Sequence, residues 1–271
     1  MMRIPFAAAV GLTFTALYFL AAIFAPLLAP YGMAEVVGDV WEPSSAEHWL
    51  GTDNIGRDLL TRLIYGGRTT IFIATAATVL SFTTGAILGF LAAVLGGWAD
   101  QVMSRAVDLL MSIPTLIFAL VVLSVMPVTV PMLILVMGLL DSTRVYRLAR
   151  AVAVDINVMD FVEAARLRGE GRGWVIFREI LPNALSPLVA EMGMRFIFMV
   201  LFVSTLSFLG LGVQPPSADW GGIVKENKDG IVYGIPAALL PAVAIATLAI
   251  SVNLVADWVL NRTTSLKGGR G

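Results

Sequence analysis

The chain holds one histidine, His48, and no cysteine. Thiolate metal sites, cysteine nucleophiles and disulfide frameworks are therefore excluded, and a histidine-based metal centre or triad has too few members. Asp53, Asn54 and Asp58 are oxygen donors close together in sequence. Their spacing lacks the central glycine and terminal glutamate of an EF-hand loop, so they do not read as a calcium site. Gly169, Gly171 and Gly173 invite comparison with a phosphate-binding loop. No strand pattern precedes them and no Gly-Lys-Ser/Thr follows anywhere, so the chain by itself should not hydrolyse ATP. The remaining chemistry lies in charges set among apolar residues: Arg105, Asp108, Asp141, Arg144, Glu191, Arg195 and Asp257. Charges in hydrocarbon are costly and hence functional candidates. Here Arg105/Asp108, Asp141/Arg144 and Glu191/Arg195 stand three, three and four residues apart, a spacing that lets each pair neutralise itself along one helix face. No file of carboxylates crosses the apolar stretches, which argues against a proton-coupled carrier.

The elements that must hold these groups follow from composition. Of 271 residues, 58% are hydrophobic and 14% charged, against about 45–50% and about 25% in soluble domains. A water-soluble globule is nearly ruled out, and a net charge of −1 supplies no basic field for nucleic acid. A hydrocarbon core about 30 Å thick takes about 20 helical residues. Uncharged runs cover 4–34, 69–99, 109–140, 196–218 and 230–256. The first is too long for the apolar core of a signal peptide. The third would reach about 48 Å as one helix, so it must fold back, and Pro127 and Pro131 are where it does so. Six spans result, at roughly 6–28, 70–95, 106–126, 130–148, 188–210 and 236–258.

An even number of spans puts both termini on one side, and the basic residues choose which. With the termini inside, Arg3, Arg105, Arg144, Arg147, Arg150, Arg166, Arg168, Arg172, Arg178, Arg262, Lys267 and Arg270 are cytoplasmic. Arg57, Arg62, Arg68, Lys225 and Lys228 fall outside, and Arg195 lies within a span. The cytoplasmic excess favours inward termini.

Two polar loops exceed what a connector needs. The outer one, 31–68, contains a turn at Gly51–Gly56, and residues 58–65 then place Leu59, Leu60, Leu63 and Ile64 on one helical face. This pattern predicts a short amphipathic helix lying on the outer membrane surface. His48 stands beside Trp49, an interface residue type, and reads as structural. In the inner loop, 149–186, Asp160 followed by Glu163 predicts an N-cap and Gly169 a helix stop. A second helix is predicted over 174–180, ended at Leu181 by Pro182. Phe161, Val162, Leu167, Trp174 and Phe177 leave this inner knob with apolar side chains that require a partner surface.

Glu163-Ala164-Ala165, Gly169 and Leu181-Pro182 resemble the EAA signature of membrane subunits of binding-protein-dependent ABC importers. His48-Trp49-Leu50-Gly51-Thr52-Asp53 with Gly56-Arg57-Asp58, and Ser207-Phe208-Leu209-Gly210-Leu211-Gly212 with Pro215-Pro216 and Trp220-Gly221, narrow the likeness. They are similar to the C-type permease subunit of the dipeptide, oligopeptide and nickel importer family. The resemblance implies an all-α integral membrane protein of the type I ABC importer permease fold. It would have six transmembrane helices, a cytoplasmic coupling-helix loop and an extracytoplasmic amphipathic segment within a single transmembrane permease domain, 1–271. It further implies a heterodimer with a second permease subunit in the bilayer of a bacterial inner membrane, two ATPase subunits carrying ATP and Mg, and an extracytoplasmic solute-binding protein. No cofactor is expected on this chain.

On this resemblance Glu163, Ala164, Ala165, Gly169, Trp174, Phe177 and Pro182 couple the chain to an ATPase. Gly51, Thr52, Asp53, Gly56, Arg57 and Asp58 form the extracytoplasmic signature. Di- or oligopeptides are the first expectation for cargo, with nickel, glutathione, opines or oligosaccharides as alternatives; no residue reads as a substrate site. A membrane-integral enzyme would need clustered nucleophiles, bases or metal ligands, which the residue types do not supply. A self-sufficient carrier or channel would leave the inner knob without a purpose.

Overall fold

The computed structural model describes residues 5–268, with side chains from 5 to 260; Arg3, Arg262, Lys267 and Arg270 of the charge pattern lie outside that description. Among the described residues regular structure is helical, apart from isolated antiparallel bridges pairing Val36 with Arg57 and Thr52 with Asp58.

Helices α1 (Phe6–Ile23) and α2 (Ala25–Leu28) lead into the outer segment. Asp58 then starts α3 (Leu59–Leu95), accepting a hydrogen bond from the Thr61 amide at 2.7 Å. The surface helix expected over 58–65 is therefore not a separate element. It forms the first turns of a 37-residue helix, about 55 Å long, and it buries Thr61 and Arg62 rather than an apolar stripe alone. Gly66 and Gly67 do not interrupt α3, because Trp220 and Ile223 lie against them; a Cβ at either position would come within 2.8 Å of those side chains.

The expected span 106–126 is broken. Helices α4 (Gly97–Ser112) and α5 (Thr115–Val125) meet at 83°. Pro114 disfavours helical geometry in its predecessor, and Ile113 is extended with ψ 129°. The fold-back near Pro127 and Pro131 does occur, with Thr129 capping α6 (Val130–Asn157). That helix continues to Asn157 instead of stopping near 148. Gly85 and Gly89 let α3 and α6 approach to backbone contact, since a Cβ there would meet Ser142 O at 2.6 Å and Tyr146 O at 2.8 Å.

Beyond α7 (Asp160–Leu167), the chain forms α8 (Arg172–Trp174), a π-helical turn over Val175–Ile180 and α9 (Leu181–Phe208) without a break. Pro182 was expected to push Leu181 out of helical geometry, yet Leu181 has φ −55° and ψ −49°. The wider π turn, in which the Leu181 amide reaches Ile176 O, makes room where a proline ring would otherwise crowd the preceding turn. Helix α10 (Trp220–Asn227), two 3-10 turns (Lys228–Tyr233 and Pro236–Ala238) and α11 (Leu239–Gly268) complete the chain.

Among the described residues, four helices are long and apolar enough to cross a membrane, or five if α4 and α5 form one bent span. Helix α6 carries Asp141, Arg144 and Arg147 in its length. Of the expected self-neutralising pairs, Glu191 and Arg195 meet at 2.5 Å. Asp141 is 3.9 Å from Arg144 but 3.5 Å from Arg195, and accepts from Ser81 at 2.9 Å. Arg105 and Asp108 do not pair; Asp108 accepts from Arg147 at 2.6 Å, because α6 passes beside α4. Neutralisation thus runs between helices as much as along them.

Candidate functional site

The inner knob begins where α6 ends. The expected Asp160 side-chain cap is absent: Met159 is the capping residue, and its carbonyl accepts from the amides of Val162 and Glu163 at 2.9 and 3.2 Å. Asp160 and Glu163 instead occupy the first turn, where negative charge complements the helix dipole. At the other end the expectation for Gly169 holds. Its φ is +86°, its amide bonds Arg166 O at 2.9 Å and the Glu170 amide bonds Ala165 O at 3.2 Å. This reciprocal pair of bonds is the Schellman stop, which requires a left-handed residue. No atom lies within 4 Å of a Cβ built at Gly169, so backbone conformation rather than space demands glycine there.

α7 has two unlike faces. Val162 and Ala165 are fully buried, and Val162 belongs to one buried cluster with Val175, Ile176, Ile180, Phe90 and Ile156. Val162 therefore needs no partner protein, and Ala165, expected among the ATPase-coupling residues, is covered by its own chain. Glu163, Ala164 and Gly169 are exposed, and Leu167 is 82% exposed. Trp174 is half-buried beneath the Arg168 guanidinium, 5.7 Å from the ring centre. Phe177 is exposed and lines an apolar crevice, and Pro182 is exposed on α9. A polar chain ties the knob inward: Arg166 donates to Asn157 Oδ1 at 2.5 Å, and Asn157 donates to Ala93 O, near the end of α3, at 3.1 Å. Asn157 carried no recognisable signal in sequence, because its partners lie on two other elements.

The residues expected as the extracytoplasmic signature are brought together as a clamp. Gly51 and Gly56 have φ of +76° and +83°, and a Cβ on Gly56 would lie 2.1 Å from Gly38 O. Thr52 accepts from the Glu42 amide at 2.8 Å and donates to Asp39 O at 2.6 Å. One Asp53 oxygen accepts from the amides of Ile55 and Arg57, each at 3.0 Å, closing an Asx turn. The other Asp53 oxygen pairs with Arg57 at 2.6 Å and lies 3.4 Å from Arg62. Glu226 of α10 then receives both guanidinium groups at 2.7 Å. Asp58, besides capping α3, lies 3.3 Å from the His48 ring nitrogen, and both are buried. His48 is structural, as expected.

Asn227 continues the clamp, accepting from Trp41 Nε1 at 3.2 Å and the Asn54 amide at 3.0 Å. Trp220 donates to Leu63 O at 2.9 Å. Asp219 caps α10 through the amides of Gly221 and Gly222 at 3.1 and 3.3 Å. Burial, reinforced by nearby Glu226, pushes its carboxyl up to about 6. These α10 residues were not legible as partners of 51–62, since more than 150 residues of chain separate them.

The profile of the family described as "Binding-protein-dependent transport system inner membrane component" matches residues 85–265. The chain belongs to that family. The permease is 31% identical to the dipeptide transport system permease protein DppC of Alkalihalophilus pseudofirmus over 251 residues, covering 92% of this chain and 83% of the relative. It is 36% identical to a putative peptide transport system permease protein of Brucella suis biovar 1, covering 92% and 84%. A di/tripeptide transport system permease protein DppC of Pseudomonas aeruginosa is 33% identical, with 91% and 84% covered. The chain is thus a multi-pass inner-membrane permease subunit of an ABC importer, a transport component rather than an enzyme, and ATP hydrolysis belongs to a separate subunit.

Proposed function

We propose that this permease forms a translocation path for di- or oligopeptides together with a second, non-identical permease. Cargo arrives from an extracytoplasmic solute-binding protein, and two ATPases bearing ATP and Mg drive the cycle through α7 and the 172–182 segment. Six spans with both termini cytoplasmic place the knob on the ATPase side and the 51–58 clamp outside, and the excess of basic residues on the knob side supports that orientation. The names of the relatives supply the cargo class.

The observation that carries the coupling role is the two-faced docking of α7. Its buried face and the Arg166–Asn157–Ala93 chain fix it to α6 and α3, while Leu167 is left uncovered. A push on the exposed face is then transmitted as a rigid-body movement to the spans. Reconstitution of the complex with its binding protein, followed by substrate-stimulated ATP hydrolysis and uptake, tests it. Gly169→Asp forces a side chain into left-handed geometry, and stimulation and uptake should fall apart from each other. Normal stimulation and normal uptake in that variant overturn the coupling role. For orientation, single cysteines replacing exposed Trp49, Val232 or Gly169 are to be labelled in intact cells with an impermeant thiol reagent. Labelling at 49 and 232 but not at 169 is expected, and the reverse pattern overturns the topology.

A further inference from the structure

We infer that the crevice between the coupling segment and the spans holds an anionic phospholipid of the inner leaflet, with an acyl chain in the crevice and the phosphate at Arg172. The inference rests on the cytoplasmic placement of the knob proposed above. The crevice has a volume of about 410 Å³ and is walled by Phe82 and Phe90 of α3, Leu188 and Met192 of α9, and Ile176 and Phe177 of the π turn. Arg172 is the one charged residue among those that line it. Arg172 is exposed, and no hydrogen bond or ion pair is found for its guanidinium among the described residues.

Charge complementarity selects the occupant. Two walls belong to helices long and apolar enough to cross a membrane, so the crevice lies at the edge of the hydrocarbon with its cation at headgroup level. A soluble anion would satisfy Arg172 and leave the apolar walls bare. An uncharged chain would do the opposite. A molecule with a long apolar part and an anionic end satisfies both, and the inner leaflet supplies it in quantity; basic pockets between helices on that face suit such headgroups. Because the crevice lies at the joint between Phe177 and α3, a lipid there stiffens the connection through which the knob moves the spans.

The test uses the complete importer in vesicles of phosphatidylcholine alone and of phosphatidylcholine with phosphatidylglycerol. Retained lipid is read by native mass spectrometry, and lipid position by a photoactivatable phosphatidylglycerol. Wild type should retain phosphatidylglycerol and be labelled at the crevice. Arg172→Gln should bind it about fivefold more weakly, the effect of one cation at an anionic surface, and Arg172→Lys should restore binding. Leu185→Trp, which fills the crevice from α9, should abolish the label while Arg172 is still present. Transport per ATP should rise with phosphatidylglycerol in wild type and not in Arg172→Gln or Leu185→Trp.

Equal retention of phosphatidylglycerol by wild type and Arg172→Gln overturns the proposal. So does cross-linking of residue 172 to a carboxylate of another subunit in place of lipid. Stimulated hydrolysis in phosphatidylcholine alone reads the coupling role separately. An importer that couples in both vesicles but retains no phosphatidylglycerol overturns the lipid alone, whereas one that retains it without stimulation overturns the coupling role alone.

Discussion

The 51–62 clamp and the α7 knob are both polar interruptions of an apolar chain, and they treat their side chains in opposite ways. In the clamp, Asp53, Arg57, Asp58 and Arg62 are almost wholly buried; Asp53, Arg57 and Arg62 pair with one another and with Glu226, while Asp58 holds the Thr61 amide and the His48 ring. Arg57 and Arg62 thereby hold 51–62 to α10 through Glu226. In the knob the buried residues are small and apolar, Val162 and Ala165, while Glu163 and Leu167 are left at the surface. A region that turns its signature inward fixes geometry; one that turns it outward is built to meet something else. The contrast corrects the simplest use of a signature: residues 51–62 form a brace, buried against their own chain.

The largest test of this contrast is Arg62→Leu, which leaves Asp53 and Glu226 with one buried guanidinium between them. A loss of about 3–5 kcal/mol in unfolding free energy is expected, read as a fall in thermal midpoint of the purified permease. Adding Glu226→Leu should recover part of it by restoring neutrality. A single-variant loss below about 1 kcal/mol would mean that the clamp is not held by these charges.

Next comes pH. The Asp219 carboxyl, displaced by burial from 3.8 to about 6, keeps its proton more firmly when folded than when unfolded. The stability this contributes is complete below the unfolded value, declines as pH rises through about 4 to 6, and is lost above. The displacement corresponds to something on the order of 3 kcal/mol. The difference in thermal midpoint between wild type and Asp219→Asn should therefore shift in favour of wild type on acidification from pH 7 to pH 4. A pH-independent difference would break this account.

In the knob the expected effects on stability are smaller. Ala165→Trp overpacks a fully buried site and should cost about 1–3 kcal/mol; loss of ATPase association without any change in unfolding would place Ala165 in the subunit interface instead. Leu167→Ala, at an open site, should change stability by no more than about 0.5 kcal/mol yet weaken retention of the ATPase in copurification. Full retention would show that this face is not where the partner sits.

The sequence alone determined the helical membrane class, the fold-back at Pro127–Pro131 and the stop at Gly169. Each follows from neighbours within a few residues: hydrocarbon thickness counts apolar positions, a proline restricts its predecessor, and a left-handed stop selects glycine. Other outcomes needed the tertiary structure. Pro114 stands at the 83° break between α4 and α5, whereas Pro182 is absorbed by a π turn, so the same residue type has two outcomes set by surrounding packing. Leu59, Leu60, Leu63 and Ile64 suggested a short amphipathic helix on the membrane surface, but they begin the long helix α3. The structure also buries Arg62 there, because Glu226 reaches it from 164 residues away. A buried charge is stable only with its counter-charge, and the position of that counter-charge is a property of the folded chain rather than of any local pattern.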